Sequence, residues 1–522
     1  MRICLISREY PPDTGWGGIA TFSRHLAHGL TELGHDVVVV CLAKDDDKVV
    51  DDQGVSVHRV NPSILPGDLG TVSLCMPYSR YVLRTTLALW RKFFQLHASK
   101  PFDVVDTPEL LAEGLYPAIT RIAPLVIRLY TPHSKFISEQ LHSVNGASFD
   151  HQFVAMLERV AMLSADVLTS PSEDLADFVA CDLNYPRHKI HIVRNPIDPA
   201  EFSPDGPVAL QKDDRLKVLF VGRLEERKGI SYLIDAVPEV LREFPKTHFV
   251  VIGDDTNNAA SGQHSVLFEL KASLKRHGAS DSVTFIPRVP LSALPDYYRS
   301  ADICVVPSVY DNSPYTCLEA MACGKPVIGT SGGGTREYVL HGESGIIVPP
   351  KDSLALARAI KSLLAEPGER LTLATNARRA VLDRFQRKRI AEQTLELYEL
   401  AALNFAARGK SLYLKEAGEA FPDAAAFLMS FDKMIYDTLY QQSWRFRIRH
   451  WWRIGTKRPR LFAGKLLLRV YRTYRGLVGR FERNNRPSPE FISWLEKEIA
   501  DKQEEPLSKL LAASASSKGN KT

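Results

Sequence analysis

The sequence predicts an α/β chain of two parallel-sheet domains followed by a helical, basic extension. Three observations carry this. Residues 2–7 form an apolar run, 15–18 a glycine-rich turn, 19–33 an amphipathic helix and 37–41 a second apolar run, which together make one strand–helix–strand unit. Residues 217–222, 230–243 and 249–254 repeat that order further along the chain. Residues 444–486 hold 14 Lys or Arg against a single acid, Glu482; that segment carries +13 in a chain of net charge +5, so the remainder is acidic at −8.

At 522 residues the chain is long enough for two or three domains, each with its own core. Hydrophobic content of 45% beside 24% charged residues is that of an ordinary globular protein. No run approaches the ~18 apolar residues that a membrane span needs. The seven cysteines (4, 41, 75, 181, 304, 317 and 323) are scattered without a C-x-x-C, which favours reduced thiols in a cytosolic compartment over disulfides or zinc. The opening MRICLISREYPP is too short and too quickly polar for a signal peptide, so the expected location is cytoplasmic.

In chain order, the 15–18 turn lacks G-x-G-x-x-G and is therefore no dinucleotide fingerprint; a purely structural tight turn is one reading of it. Residues 102–106 and 124–130 read as strands, Glu158-Arg159 as part of a helix, 166–170 as a strand, and Ser172 as the N-cap of a further helix. Pro, Asp and Gly accumulate over 196–215, which sets the expected domains at 1–198 and 199–403. Arg223, Arg227 and Lys228 follow the strand at 217–222; Arg227 reads as a solvated loop charge. Strands are expected at 283–288 and 303–306 with a helix at 292–299 between them. Helices are expected at 353–364, 369–384 and 387–402.

The most informative stretch is 307–337, PSVYDNSPYTCLEAMACGKPVIGTSGGGTRE. Asp311 and Glu319 stand with seven residues between them around Ser313-Pro314, which reads as a helix start because proline suits a first turn. Leu318, Met321 and Ala322 give that helix an apolar face. Its N-terminus, with unpaired N–H groups and positive dipole charge, suits a phosphate. The bland alternative is a β–α–β unit carrying two surface carboxylates.

These residues resemble the signature of the retaining glycosyltransferases of family 4, which have the GT-B fold of two Rossmann-like domains facing a cleft. Glu319, Ala320 to Ala322, Gly324, Pro326-Val327, Gly333-Gly334 and Glu337 match, and Asp311 replaces the first glutamate. The resemblance covers roughly the first 400 residues. It implies an enzyme that takes a nucleoside-diphosphate sugar as donor substrate and needs no cofactor or metal. Gly17 and Gly18 would lie over the donor diphosphate and the acceptor, with Arg223, Lys228 and the segment Ser313, Pro314, Tyr315 and Thr316 binding the diphosphate. Glu319 would hold the ribose, and Arg288 and Val289 would meet the base. Asp311, Glu319 and His133 would be the catalytic group. The family's cleft histidine falls on Tyr130 by strand register, with His133 three residues on. The acceptor would be a glycan or lipid-linked. A catalytically inactive nucleotide-sugar-binding scaffold and a GT-B sugar-nucleotide epimerase are the alternatives.

The extension at 404–511 departs from that family. Trp444, Trp451 and Trp452 interleave with arginines, and after Pro459 an apolar helical stripe runs beside Arg469, Arg472 and Arg475. A cationic helix with an apolar stripe fits an anionic membrane interface, here the cytosolic face. Single-stranded nucleic acid, which is not expected as a partner, and a helix packed on the acidic body are the competing readings. Residues 512–522 are small and polar, and disorder is expected there.

Overall fold

The computed structural model describes residues 1–408 except 16, 63–75, 141–148, 212 and 257–264, and these belong to a compact unit, Met1–Leu428. The basic extension, with Trp444, Trp451, Trp452, Arg469, Arg472 and Arg475, lies outside the described residues, as does the tail at 512–522.

The first sheet contains β1 (Arg2–Ile6), β2 (Asp36–Leu42), β3 (Lys48–Asp52), β4 (Val55–Val60), β5 (Val104–Pro108), β6 (Leu125–Arg128), β7 (Val167–Ser170) and β8 (Ile190–Ile192). Their order is β3-β4-β2-β1-β5-β6-β7-β8, parallel except for the β3–β4 hairpin. The inner strands are apolar and buried, as strands covered by helices on both faces must be. The second sheet contains β9 (Leu216–Val221), β10 (Thr247–Ile252), β11 (Val283–Ile286), β12 (Ile303–Val306), β13 (Val327–Thr330) and β14 (Gly345–Val348), all parallel, in the order β11-β10-β9-β12-β13-β14. In each sheet the winding direction reverses beside the first strand, between β1 and β5 and between β9 and β12. Crevices for ligands open at the carboxyl ends of strands at such points.

Two chain crossings tie the sheets together. The outgoing crossing follows β8, and the return lies alongside it, where the Ile197 amide donates to Phe385 O (2.8 Å) and the Arg387 amide to Ile197 O (3.0 Å). The last described helix, Arg387–Arg408, then packs on the first sheet's side of the molecule: Tyr398 donates to Asp106 Oδ2 (2.7 Å) and Asn404 to Asp166 O (2.9 Å). In sequence it follows the second domain, but its contacts are with the first.

Gly29 shows how close that packing is. It sits inside the helix Gly18–Glu32, where glycine ordinarily costs about 1 kcal/mol relative to alanine. A Cβ there would stand 2.7 Å from Arg387 O and 3.0 Å from the Ala391 Cβ. Gly29→Leu should therefore lower stability by about 1–3 kcal/mol through overpacking. Urea unfolding checks this: a gain in stability, as helix propensity alone would give, contradicts the crossing.

Candidate active site

The cleft opens between the carboxyl ends of the two sheets and encloses about 640 Å³, within the size range of small-ligand sites. Gly17, Gly18, Tyr130, Arg223, Lys228, Arg288, Val289, Asp311, Ser313, Pro314, Tyr315, Thr316 and Glu319 all line it. The sequence placed these residues across several loops, and the fold brings them to one cavity.

On the second-sheet side, the turn after β9 carries Arg223 and Lys228. Gly229 follows with φ +69, and a Cβ on it would overlap Pro307 O at 1.9 Å, so only glycine lets this turn lie on the loop after β12. That approach puts Lys228 Nζ 2.5 Å from Asp311 Oδ2. Burial alone would raise the Asp311 pKa, but the charges of Lys228 and Arg227 outweigh it and hold the carboxyl below its usual range. Arg227 corrects the sequence reading. It is no solvated loop charge: it donates to Tyr310 O (3.3 Å) and Glu225 Oε1 (3.0 Å), stands 3.9 Å from Asp311 and lines the cleft. Arg223 is 62% exposed, 3.2 Å from Glu225, and its guanidinium is accessible to a ligand.

The helix Tyr315–Ala322 points its N-terminus into the cleft. Pro314 is its N-cap, one position before the first turn, and no side chain caps this end. The Cys317 amide donates to Pro314 O (3.1 Å), while the amides of Tyr315 and Thr316, without intrahelical acceptors, are available to an anion. Glu319 lies one turn in, 5% exposed, accepting from Tyr298 OH at 2.7 Å. Burial chiefly pushes its pKa up to about 7, with Glu201 adding to the rise and the Tyr298 hydrogen bond and Lys228 opposing it.

On the first-sheet side, Gly18 rests against the Tyr315 ring, which itself stacks on His25 with ring centres 6.3 Å apart. The Tyr130 amide donates to both oxygens of buried Glu109 (2.8 Å each). Burial pushes Glu109 up to about 8, against the pull of the backbone amides around it. His133 is not among the lining residues. The helix His133–Gln140 begins at this residue and directs its ring behind the cleft, with Nε2 2.8 Å from His151 Nδ1 and the two rings stacked. Burial, with His151 adding to it, lowers His133 to about 4.

Residues that carried no role in the sequence reading bridge the two halves. Asn312 donates to Thr131 Oγ1 (2.7 Å) and to the Tyr130 carbonyl, and Asn195 donates to Ser313 O (3.1 Å). Glu337, read only as part of a motif, accepts from the Glu173 amide (2.9 Å) and pairs with Arg194. Its carboxylate thus caps the helix Glu173–Leu183 of the other domain. The sole local signal for these bridges is polarity in loops next to the motif; the partners are more than 100 residues away.

Residues 17–196 match the family described as glycosyl transferase 4-like domain, and residues 206–380 match glycosyl transferases group 1. A D-inositol 3-phosphate glycosyltransferase of Geodermatophilus obscurus is 31% identical over 409 residues, covering 75% of this chain and 86% of that protein. Among solved structures, sucrose-phosphate synthase of Thermosynechococcus elongatus has a TM-score of 0.63 at 24% identity, covering 78% of this chain and 99% of that one. HepE of Anabaena, solved with UDP and glucose, has a TM-score of 0.56 at 19% identity, covering 76% and 99%. Both structures share the fold of two parallel-sheet domains around a cleft. The chain belongs to the group 1 glycosyl transferases and has their GT-B fold.

Proposed function

We propose that the chain is a retaining, metal-independent glycosyltransferase that moves a sugar from a nucleoside-diphosphate sugar to a glycan or lipid-linked acceptor. One observation carries this reading. Arg223, Lys228, an uncapped helix N-terminus and a buried carboxylate, Glu319, line the same cavity. In it, Arg223 and Lys228 hold the diphosphate together with the amides of Tyr315 and Thr316. They offset the charge that grows on the leaving group as the sugar–phosphate bond breaks. Glu319 accepts from the ribose hydroxyls, while the backbone at Arg288 and Val289 meets the base. Asp311 and Tyr130 flank the sugar, and the acceptor hydroxyl enters from the first-sheet side. Retention is what the likeness to family 4 implies. Turnover with a nucleotide-sugar panel should survive excess EDTA; loss of activity restored by a divalent cation contradicts the metal-independent reading.

Glu319 gives this reading a pH signature. A ribose bound through two hydroxyls favours the ionised carboxylate, so binding releases the proton that Glu319 holds below about 7. Affinity for the nucleotide sugar should therefore rise with pH and level off above about 7. A sugar diphosphate has no terminal phosphate to titrate in this range. Calorimetric titration across pH checks this, and Glu319→Gln should flatten the profile.

The extension is proposed to hold the enzyme at an anionic cytosolic membrane face. No described helix is long and apolar enough to cross a membrane; the support is the +13 of residues 444–486 beside Trp444, Trp451 and Trp452. The full chain should co-sediment with anionic vesicles and be released by salt, and a version ending at Ala407 should not. Equal sedimentation of the two contradicts attachment through the extension.

A further inference from the structure

We propose that the acceptor half of the cleft selects an uncharged, polyhydroxylated acceptor unit, and that Glu9 enforces this by accepting an acceptor hydroxyl and repelling phosphate. The inference rests on the transferase reading above and adds the acceptor's charge class to it.

The lining divides by charge. The cations Arg223, Arg227, Lys228 and Arg288 all come from the second-sheet side. Among the described lining residues from the first-sheet side there is no Lys or Arg, and Glu9 is the single charged one, among neighbours such as Ile19, Thr21, Leu110 and Thr131. Nearby cations of that domain are turned away and occupied. Arg8, next to Glu9 in sequence, is buried and donates to Glu113 (2.9 Å) and Thr85 (3.1 Å). Arg128 is buried against Asp106 (3.0 Å) and the Phe22 ring (4.0 Å). Lys135 stands over the rings of Phe178 (4.3 Å) and Tyr310 (4.2 Å). The undescribed positions of this domain, 16, 63–75 and 141–148, contain no Lys or Arg.

Glu9 has no ion pair among the described residues, and its carboxylate lies over the Gly15–Gly17 turn: a Cβ on Gly17 would stand 3.8 Å from Oε2 and one on Gly15 would stand 2.7 Å from it. An ionised carboxylate only accepts hydrogen bonds. A sugar or polyol hydroxyl satisfies it. A phosphate brings like charge to Glu9 in a half-cleft where, among the described lining residues, no Lys or Arg offsets it and the uncapped start of the helix Gly18–Glu32 is the one positive end, and it loses its own water there. Donor phosphates meet the cationic half, so one cavity sorts the two substrates by charge.

The test uses the full chain with whichever of UDP, ADP or GDP gives the largest thermal shift. Acceptor binding is read by competition NMR for myo-inositol against its monophosphate and mannose against its monophosphate. Each neutral member should bind at least about fivefold more tightly than its monophosphate. Glu9→Lys should swing that ratio toward the monophosphate by about tenfold or more. Glu9→Gln, nearly isosteric, should narrow it severalfold and covers the case in which the lysine variant does not fold. Retained nucleotide thermal shift shows that a variant's donor half is intact. Tighter binding of the monophosphates by the full chain, or a ratio that moves less than twofold in the folded variants, overturns the inference. Transfer is measured in parallel. A chain that prefers the neutral acceptors but moves no sugar upholds the charge selection and sinks the transferase reading, so the two failures are distinct.

Discussion

Lys228→Ala should lower kcat/KM for the nucleotide sugar by about 30-fold or more, equivalent to ~2 kcal/mol of transition-state stabilisation. Two losses combine. The leaving diphosphate forfeits a charge-assisted contact, and Asp311, 8% exposed, is left with Arg227 at 3.9 Å as its nearest cation. The second loss would also cost stability, because a buried carboxylate without its close partner is strongly disfavoured. Arg223→Ala separates the two effects. It is 62% exposed and, among the described residues, pairs only with Glu225 at 3.2 Å, so its removal should reduce kcat/KM comparably while leaving the urea midpoint almost unchanged. Steady-state kinetics beside urea unfolding measures both. Unchanged turnover in folded forms of both variants contradicts the diphosphate assignment.

Glu319→Gln and Asp311→Asn should part company in nucleotide titrations. The first should weaken binding of the free nucleoside diphosphate about tenfold, since the ribose loses a charged acceptor. The second should bind the nucleoside diphosphate at least as well as the parent chain. Removing the Asp311 charge frees Lys228, now held at 2.5 Å, to turn wholly toward the phosphates. Turnover of the complete donor should nevertheless fall, because the group flanking the sugar is altered. The double variant Asp311→Asn with Lys228→Ala should be markedly non-additive, as expected of residues in direct contact. Equal weakening of nucleotide binding by Glu319→Gln and Asp311→Asn contradicts this division of roles.

Local chemistry made much of this architecture readable. Short runs rich in β-branched residues, such as 37–41, read as buried strands, and Ser172 is the N-cap that its type suggests, with its hydroxyl accepting from the Leu175 amide at 3.2 Å. The helix carrying Glu319 was marked by Pro314 and by the spacing of Leu318, Met321 and Ala322. What escaped the sequence was decided by distant contacts. Residues 190–192 carry no strand assignment in the sequence reading, three residues being too few for a strand signal, yet they pair with β7 as the sheet's edge. The β3–β4 hairpin turns at Gln53-Gly54, both at positive φ, a weak turn signal between short runs. Arg227 looked solvated because its partners Tyr310 and Asp311 lie more than 80 residues on, across the Gly229 approach. His133 and Tyr130 stand three residues apart, and only the start of a helix at His133 shows which of them faces the cleft.

In the proposed reaction, sugar leaves a nucleoside diphosphate in this cleft and joins an acceptor with its configuration kept. Proton NMR of the first-formed product reads this directly from the anomeric coupling, before any spontaneous change of anomer. An α-configured donor should give an α-linked product in step with release of the nucleoside diphosphate. A β-linked first product contradicts retention, and an epimerised donor, or no transfer by a chain that binds the nucleotide sugar, contradicts the transferase itself.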